Sequence, residues 1–177
     1  HPHPEIYSHR LLAMSHYSSG VNPLCIMPAR GGSKQIRGKN VRELEGQPII
    51  SRTIEVARAS QIFQEIAVST DNDEIAKCAE TAGAVIPFKR HKSLADEKTG
   101  LQDVITDSIQ HLSLDLFPNS LICCLLPSAV LLEPADLVDS YADICSDSRN
   151  VFLVSGTRFA HPIERALFVA EDGLVYS

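Results

Sequence analysis

The residues best equipped for chemistry lie in one stretch, Pro28-Ala29-Arg30-Gly31-Gly32-Ser33-Lys34-Gln35-Ile36-Arg37-Gly38-Lys39-Asn40. It holds three glycines, four cationic residues and no carboxylate. Glycines let backbone N–H groups approach an anion closely, and a nest of amides with Arg or Lys neutralises its charge. The chemistry on offer is the binding of a polyphosphate. The plainer reading is an exposed basic turn after a strand, with Lys34 and Arg37 as solvated charges. Spacing narrows the first reading. A P-loop needs four residues between its first glycine and the Gly-Lys pair, then Ser or Thr. Here five residues separate Gly32 from Gly38, and Asn40 follows Lys39. A dinucleotide fingerprint needs G-x-G-x-x-G and an acid about 20 residues on. Gly31 and Gly32 are adjacent instead, and Asp71 lies too far along. What remains is a loop suited to transfer at a nucleoside triphosphate.

Such a loop must be held by regular elements. The apolar run Leu24 to Met27 predicts a buried first strand leading into it. Residues 48–60 predict a helix, with Pro48 in its first turn and Ile50, Ile54 and Ala57 as an apolar stripe. Residues 65–69 predict a second strand. Asp71 then caps a helix running to Ala82, with Glu74 at capping-box spacing and Gly83 as the stop. Residues 84–87 predict a short third strand, and residues 88–98 a polar loop. Residues 99–112 predict a helix with Leu101, Val104, Ile105, Ser108, Ile109 and Leu112 on one side. Residues 121–126 form the most apolar strand, expected to be central and covered on both faces. Ser128 ends it. A helix over 133–145 enters at Pro134 and turns Leu137, Val138, Tyr141 and Ile144 inward. A strand over 151–155 follows, then a hairpin around Glu171-Asp172-Gly173. Strands alternating with helices define an α/β, three-layer sandwich with a mostly parallel central sheet. In such sheets ligands sit beyond the carboxyl ends of the strands. The Arg30 loop, Ser69-Thr70-Asp71, the Arg90 loop and Pro127-Ser128 all follow strands and should converge on one rim.

Composition sets the outer limits. The 177 residues suffice for one domain with a real core. A net charge of −6 argues against a general nucleic-acid or membrane-surface binder, so the cations near Arg30 are a local site on an acidic protein. No apolar run reaches the ~20 residues of a membrane span. The five cysteines are odd in number and form no CxxC, which predicts buried thiols in a reducing cytoplasm rather than a zinc site. Residues 1–22 hold four of the seven histidines and little periodicity. They read as a disordered leader, without the apolar core of a signal peptide, and Met14 is a candidate start.

Further motifs carry a family resemblance. Pro28-Ala29-Arg30-Gly31-Gly32-Ser33-Lys34 with Gly38-Lys39-Asn40 resembles the signature P-A-R-G-G-S-K-x-I-P-x-K-N of the cytidylyltransferases that activate nonulosonic, sialic-type acids. Val68-Ser69-Thr70-Asp71 resembles that family's V-S-T-D. Gly83-Ala84 with Pro87-Phe88-Lys89-Arg90 resembles G-A-x-V-P-F-x-R, and Leu94-Ala95-Asp96-Glu97-Lys98-Thr99 resembles L-S-D-D-x-T. Cys123-Cys124-Leu125-Leu126-Pro127-Ser128-Ala129 and Pro162-Ile163-Glu164-Arg165-Ala166-Leu167 are similar to C-C-x-Y-P-T-A and P-I-Q-R-A-L of its pseudaminic acid branch. The resemblance covers residues 23–177, read as one nucleotidyltransferase domain of the Rossmann-like nucleotide-diphospho-sugar transferase type.

The resemblance implies attack of a sugar acid's anomeric hydroxyl on the α-phosphorus of CTP, giving a CMP-sugar and pyrophosphate with Mg²⁺ assisting. It implies catalytic roles for Arg30 and Lys39. It implies nucleotide contacts from Ala29, Arg30, Gly31, Gly32, Ser33, Lys39, Asn40, Arg90 and Ser128, and assigns Arg158 and Arg165 to the acid's carboxylate. It names no metal ligand in this stretch. A sialic acid cytidylyltransferase and a non-catalytic nucleotide-binding remnant are the alternatives. The family also implies a homodimer and a further C-terminal tract carrying an acidic pair for the metal. Departures are specific: Arg37 replaces the signature proline, Val130 stands where the pseudaminic branch has proline, and Leu126 replaces the Gln of sialic acid enzymes and the Tyr of the pseudaminic branch.

Overall fold

A computed structural model describes residues 23–33, 36–95, 99–112, 121–146, 149, 152–156, 168–169 and 175–176. The expected leader over 1–22 and the residues Lys34, Asp96, Arg158 and Arg165 lie outside them. The first strand, β1 (Leu24–Pro28), is almost wholly buried, with Cys25, Ile26 and Met27 fully excluded from solvent. It is the middle of a three-stranded parallel sheet. On one side lies β4 (Glu65–Ser69), with Cys25 opposite Ile66. On the other lies β5 (Ile122–Cys124), with Cys25 opposite Cys123. Two isolated parallel bridges, Ala67 to Val85 and Thr70 to Lys89, carry the sheet beyond β4.

The expected third strand is therefore reduced to single pairings. Pro87 lacks the N–H that a continuous ladder needs at that point. Among the described residues the apolar run at β5 stands at the edge of the sheet, not at its centre. Among the described residues it pairs only with β1, and Cys124 is exposed. Hydrophobicity marked a strand correctly, but crossover order put β1 in the middle. Of the strand expected over 151–155, residues 152–156 show no regular pairing and Val151 lies outside the described set; Phe152 is 80% exposed.

The helices follow their apolar stripes. α1 (Ile49–Ala59) buries Ile50, Ile54 and Ala57, and Pro48 stands one position before it rather than in its first turn. α2 (Asp73–Thr81) buries Ile75 and Ala79 and stops before Gly83, whose φ of +91° suits glycine. α3 (Leu101–His111) buries Val104 and Ser108, while Leu101 stays open. α4 (Pro134–Cys145) begins on Pro134 and buries Leu137. Cys25, Met27, Ile50, Ile54, Ile75 and Leu137 share one core cluster, which joins one sheet face to α1, α2 and α4. Ile26 points to the opposite face by strand alternation, and α3 lies along β1. This is the three-layer order expected.

Two short hairpins complete the described chain. β2 (Glu43–Leu44) and β3 (Gln47–Pro48) pair antiparallel around Glu45 and Gly46, both at positive φ. That is the two-residue turn that matches strand twist, but Glu-Gly is a weaker signal than Asn-Gly, and the sequence did not announce it. β6 (Phe168–Val169) and β7 (Val175–Tyr176) form the hairpin expected around Gly173. The cysteines are all free, yet only Cys25 is fully buried; Cys78, Cys123 and Cys145 are half-buried and Cys124 is exposed.

Candidate functional site

The loops after β1 and β5 meet the segment that follows the Thr70–Lys89 bridge at the carboxyl edge of the sheet, around a cleft of about 450 Å³. Six of the expected residues line it: Arg30, Ser33, Lys39, Asn40, Arg90 and Ser128. The cleft thus gathers three cations with no carboxylate among its lining residues.

Local structure explains how they arrive. Gly38 sits at φ +64°, which glycine adopts without steric cost, and turns the chain into a 3₁₀ turn over Lys39–Val41. That turn brings Lys39 to the cleft. It also buries Asn40, whose Nδ2 donates to the Arg30 carbonyl at 3.0 Å and pins the loop's two ends together. Ser128 is held by its neighbour: Thr53 Oγ1 of α1 donates to the Pro127 carbonyl at 2.8 Å, both groups being buried. Arg90 is only 4% exposed. Its Nε donates to Ser69 Oγ at 3.0 Å, and its Nη2 donates to the Ser69 carbonyl. Burial lowers the Arg90 pKa; the carboxylates of Asp71 and Asp107 oppose that, and the nearby charge of Arg30 adds to it. Two guanidiniums this close favour a strongly anionic ligand between them.

Two expected nucleotide contacts have other employment. Ala29 is fully buried in the core, and its amide donates to the Ser69 carbonyl at 2.9 Å. The Gly31 amide donates to Asp71 Oδ1 at 2.9 Å, so it is turned to the protein's own carboxylate and away from a ligand phosphate. A Cβ at Gly31 would come within 2.9 Å of the Asn72 side chain, so glycine is needed there for loop-to-loop approach. Gly32 borders open space. Arg37 is exposed, as a solvated charge.

Asp71 is not the helix cap that its position suggests. The cap of α2 is Asn72, whose side chain accepts from the Ile75 amide at 3.0 Å, and Glu74 falls one position short of a capping box. Asp71 instead ties the β4 loop to the β1 loop. Sequence reading also missed Asp107 on α3. Its Oδ2 is buried without a hydrogen-bond partner among the described residues, and its Oδ1 stands 3.3 Å from His111 Nδ1. The His111 ring stacks on Phe88 at 4.2 Å. The i,i+4 Asp-His pair is visible in the sequence, but nothing there places it beside Arg90. No group of three or more His, Cys, Asp or Glu among the described residues is arranged to hold a metal.

A parallel α/β sheet with an anion-directed cleft at its carboxyl edge is the architecture of nucleotidyltransferases. The solved structures agree on the fold. A CMP:2-keto-3-deoxy-manno-octonic acid synthetase complexed with CTP superposes with a TM-score of 0.57 at 18% identity, over 72% of this chain and 49% of that one. A cytidylyltransferase from Leptospira borgpetersenii gives 0.53 at 16% identity, over 72% and 50%. The sequence model described as Cytidylyltransferase matches residues 24–166, and the chain belongs to that family. Similar proteins include the pseudaminic acid cytidylyltransferase of Campylobacter jejuni serotype O:2, 39% identical over 86% of this chain and 66% of its own length. The CMP-N,N'-diacetyllegionaminic acid synthase of Legionella pneumophila is 37% identical over 63% of this chain and 48% of its own length. The chain thus spans about two thirds of the first relative's length.

Proposed function

We propose that the chain carries the nucleotide-binding and transferring part of a CTP:nonulosonic acid cytidylyltransferase, with pseudaminic acid as the acceptor. The acceptor's anomeric oxygen bonds to the α-phosphorus of CTP while the bond from that phosphorus to the bridging oxygen breaks. Pyrophosphate leaves with its electron pair, and the hydroxyl proton passes to solvent. The observation that carries this reading is the convergence of Arg30, Lys39 and Arg90 on one cleft beside Asn40, Ser33 and Ser128. Charge builds on the phosphate oxygens during transfer, and fixed cations stabilise it. The pseudaminic assignment draws on the 39% identity to the Campylobacter enzyme and on the Cys-Cys-x-x-Pro segment before Ser128.

Mg²⁺ belongs to this reading as a companion of the triphosphate. The described residues offer it no cluster of three or more His, Cys, Asp or Glu ligands. The same reading places the protein in the cytoplasm as a homodimer acting on small molecules, with neither nucleic acid nor membrane as a partner. Free thiols suit a reducing compartment, and no helix among the described residues is long and apolar enough to cross a membrane.

The test is pyrophosphate release from CTP, Mg²⁺ and pseudaminic acid. Arg30→Ala and Lys39→Ala should each lower turnover about 10²-fold, as loss of one electrostatic donor typically does. Unchanged rates would remove both residues from the chemistry. Tight CTP binding without turnover on any nonulosonic acid would identify a binding module instead.

A further inference from the structure

Arg90 is buried, yet it serves a cleft that needs its charge. The chain around it faces two ways. Lys89 reaches α2, where its Nζ donates to Asp73 Oδ1 at 2.6 Å. Phe88 and Arg90, on either side of it in sequence, turn toward α3. Phe88 stacks on His111 in the last turn of α3, with ring centroids 4.2 Å apart. Arg90 lines the cleft together with Val104, two turns earlier on the same helix. Asp107 stands between those two contacts, because positions 104, 107 and 111 share one helix face. Its carboxylate is thus set behind Arg90 as viewed from the cleft, and its charge acts on the guanidinium. His111 Nδ1 stands 2.9 Å from the Asp107 carbonyl and 3.3 Å from Oδ1. Oδ2 is buried with no hydrogen-bond partner among the described residues. A carboxylate oxygen left so has lost its hydration without return. Asp71, the other carboxylate whose charge bears on Arg90, is committed to the Gly31 amide.

We propose that Asp107 is a positioning residue: from the side away from the cleft, its buried carboxylate holds the Arg90 guanidinium in the orientation that meets the triphosphate. The inference rests on the cytidylyl-transfer reading above and adds to it a group that never touches the ligand. A guanidinium is a planar fork of five N–H donors, so its worth to a phosphate depends on orientation as well as charge. Ser69 takes two of those donors, through its hydroxyl and its carbonyl. Both are neutral acceptors. A carboxylate adds a charge-assisted hold, roughly twice as strong as a neutral one, and keeps the fork in place when a phosphate pulls on it. His111, stacked on Phe88, fixes the carboxylate in its turn.

The experiment measures initial rates of pyrophosphate release while CTP and pseudaminic acid are varied separately, with Mg²⁺ present. Asp107→Asn keeps the shape of the side chain and removes its charge. It should raise KM for CTP about 10-fold, while KM for pseudaminic acid stays within about twofold of the parent. Structural damage alone would lower kcat through a smaller active fraction and move neither KM. Arg90→Lys keeps the cation and loses the fork. In that background Asp107→Asn should change KM for CTP by no more than about twofold, because no fork is left to orient. Asp107→Ser removes the charge and leaves room for water, so it decides the same question if the Asn variant does not fold. An unmoved KM for CTP, or an equal rise in both Arg90 backgrounds, overturns the positioning role and leaves cytidylyl transfer standing. If the unaltered chain binds CTP but releases no pyrophosphate with any nonulosonic acid, the proposed function fails. The same variants compared by CTP dissociation constant in calorimetry then decide the role of Asp107. If the unaltered chain binds no CTP, both fall.

Discussion

Asp71 shows how much one side chain can do without touching a ligand. Its carboxylate accepts from the Gly31 amide, and its charge also favours the cationic form of Arg90. It therefore fixes the direction of the β1 loop and steadies the buried guanidinium beside that loop. Hydrogen bonds to a charged acceptor contribute about 1.5–3 kcal/mol. Asp71→Ala should lower the unfolding free energy by about that much, and should weaken CTP binding measured by calorimetry. A variant matching the parent in both would show that the tie orders nothing. The cations of the loop were legible because charge crowded among glycines has few other uses. The tie was not, because the partners stand 40 residues apart and only the register of β1 on β4 brings them together. A lone aspartate before a helix looks like a cap, and Asn72, one residue on, takes that role.

At the scale of elements, periodicity read the helices well and misjudged the sheet's edges. The stripe Ile50, Ile54, Ala57 faces the core because 3.6-residue spacing leaves few alternatives. The central place of β1 was not visible in its composition, since strand order depends on where crossovers return. Gly83 is a local feature that could be read from sequence alone, as the glycine that stops α2. The structure adds a second reason for it: a Cβ there would lie 2.7 Å from Arg58 Nη1, which donates to the Ala82 carbonyl at 3.1 Å. Gly83→Ala should cost at least ~1 kcal/mol from the left-handed backbone alone. Urea denaturation would measure it, and an unshifted midpoint would mean that the helix end relaxes freely.

Across the whole molecule, the distribution of charge and thiols sets the response to conditions. The chain is acidic at −6, so its cleft concentrates cations against the general field. The Cys25 thiol is pushed well above its ordinary value by its hydrogen bond to Cys123 and by burial, and Cys78, Cys124 and Cys145 are raised chiefly by burial. Raised thiols favour the folded state while they stay protonated. Their contribution is present in full below the unfolded value near 9.0 and is lost as pH rises through the folded values. The unfolding free energy should therefore fall steadily above about pH 9. Cys25→Ala should be less stable throughout but show a shallower alkaline decline. Equal slopes would assign the decline to other groups. The long-range ties that shape the cleft have a consequence in time as well. Gly31 waits for Asp71, and Pro127 meets Thr53 across 74 residues. During synthesis the chain emerges from its N-terminus, and such distant contacts form late. The basic loop leaves the ribosome early with its full charge, but it gains a cleft to line only once Ser128 has followed. A ligand of that cleft then acts as a seal on completed folding, holding the finished molecule by mass action and ignoring every shorter one.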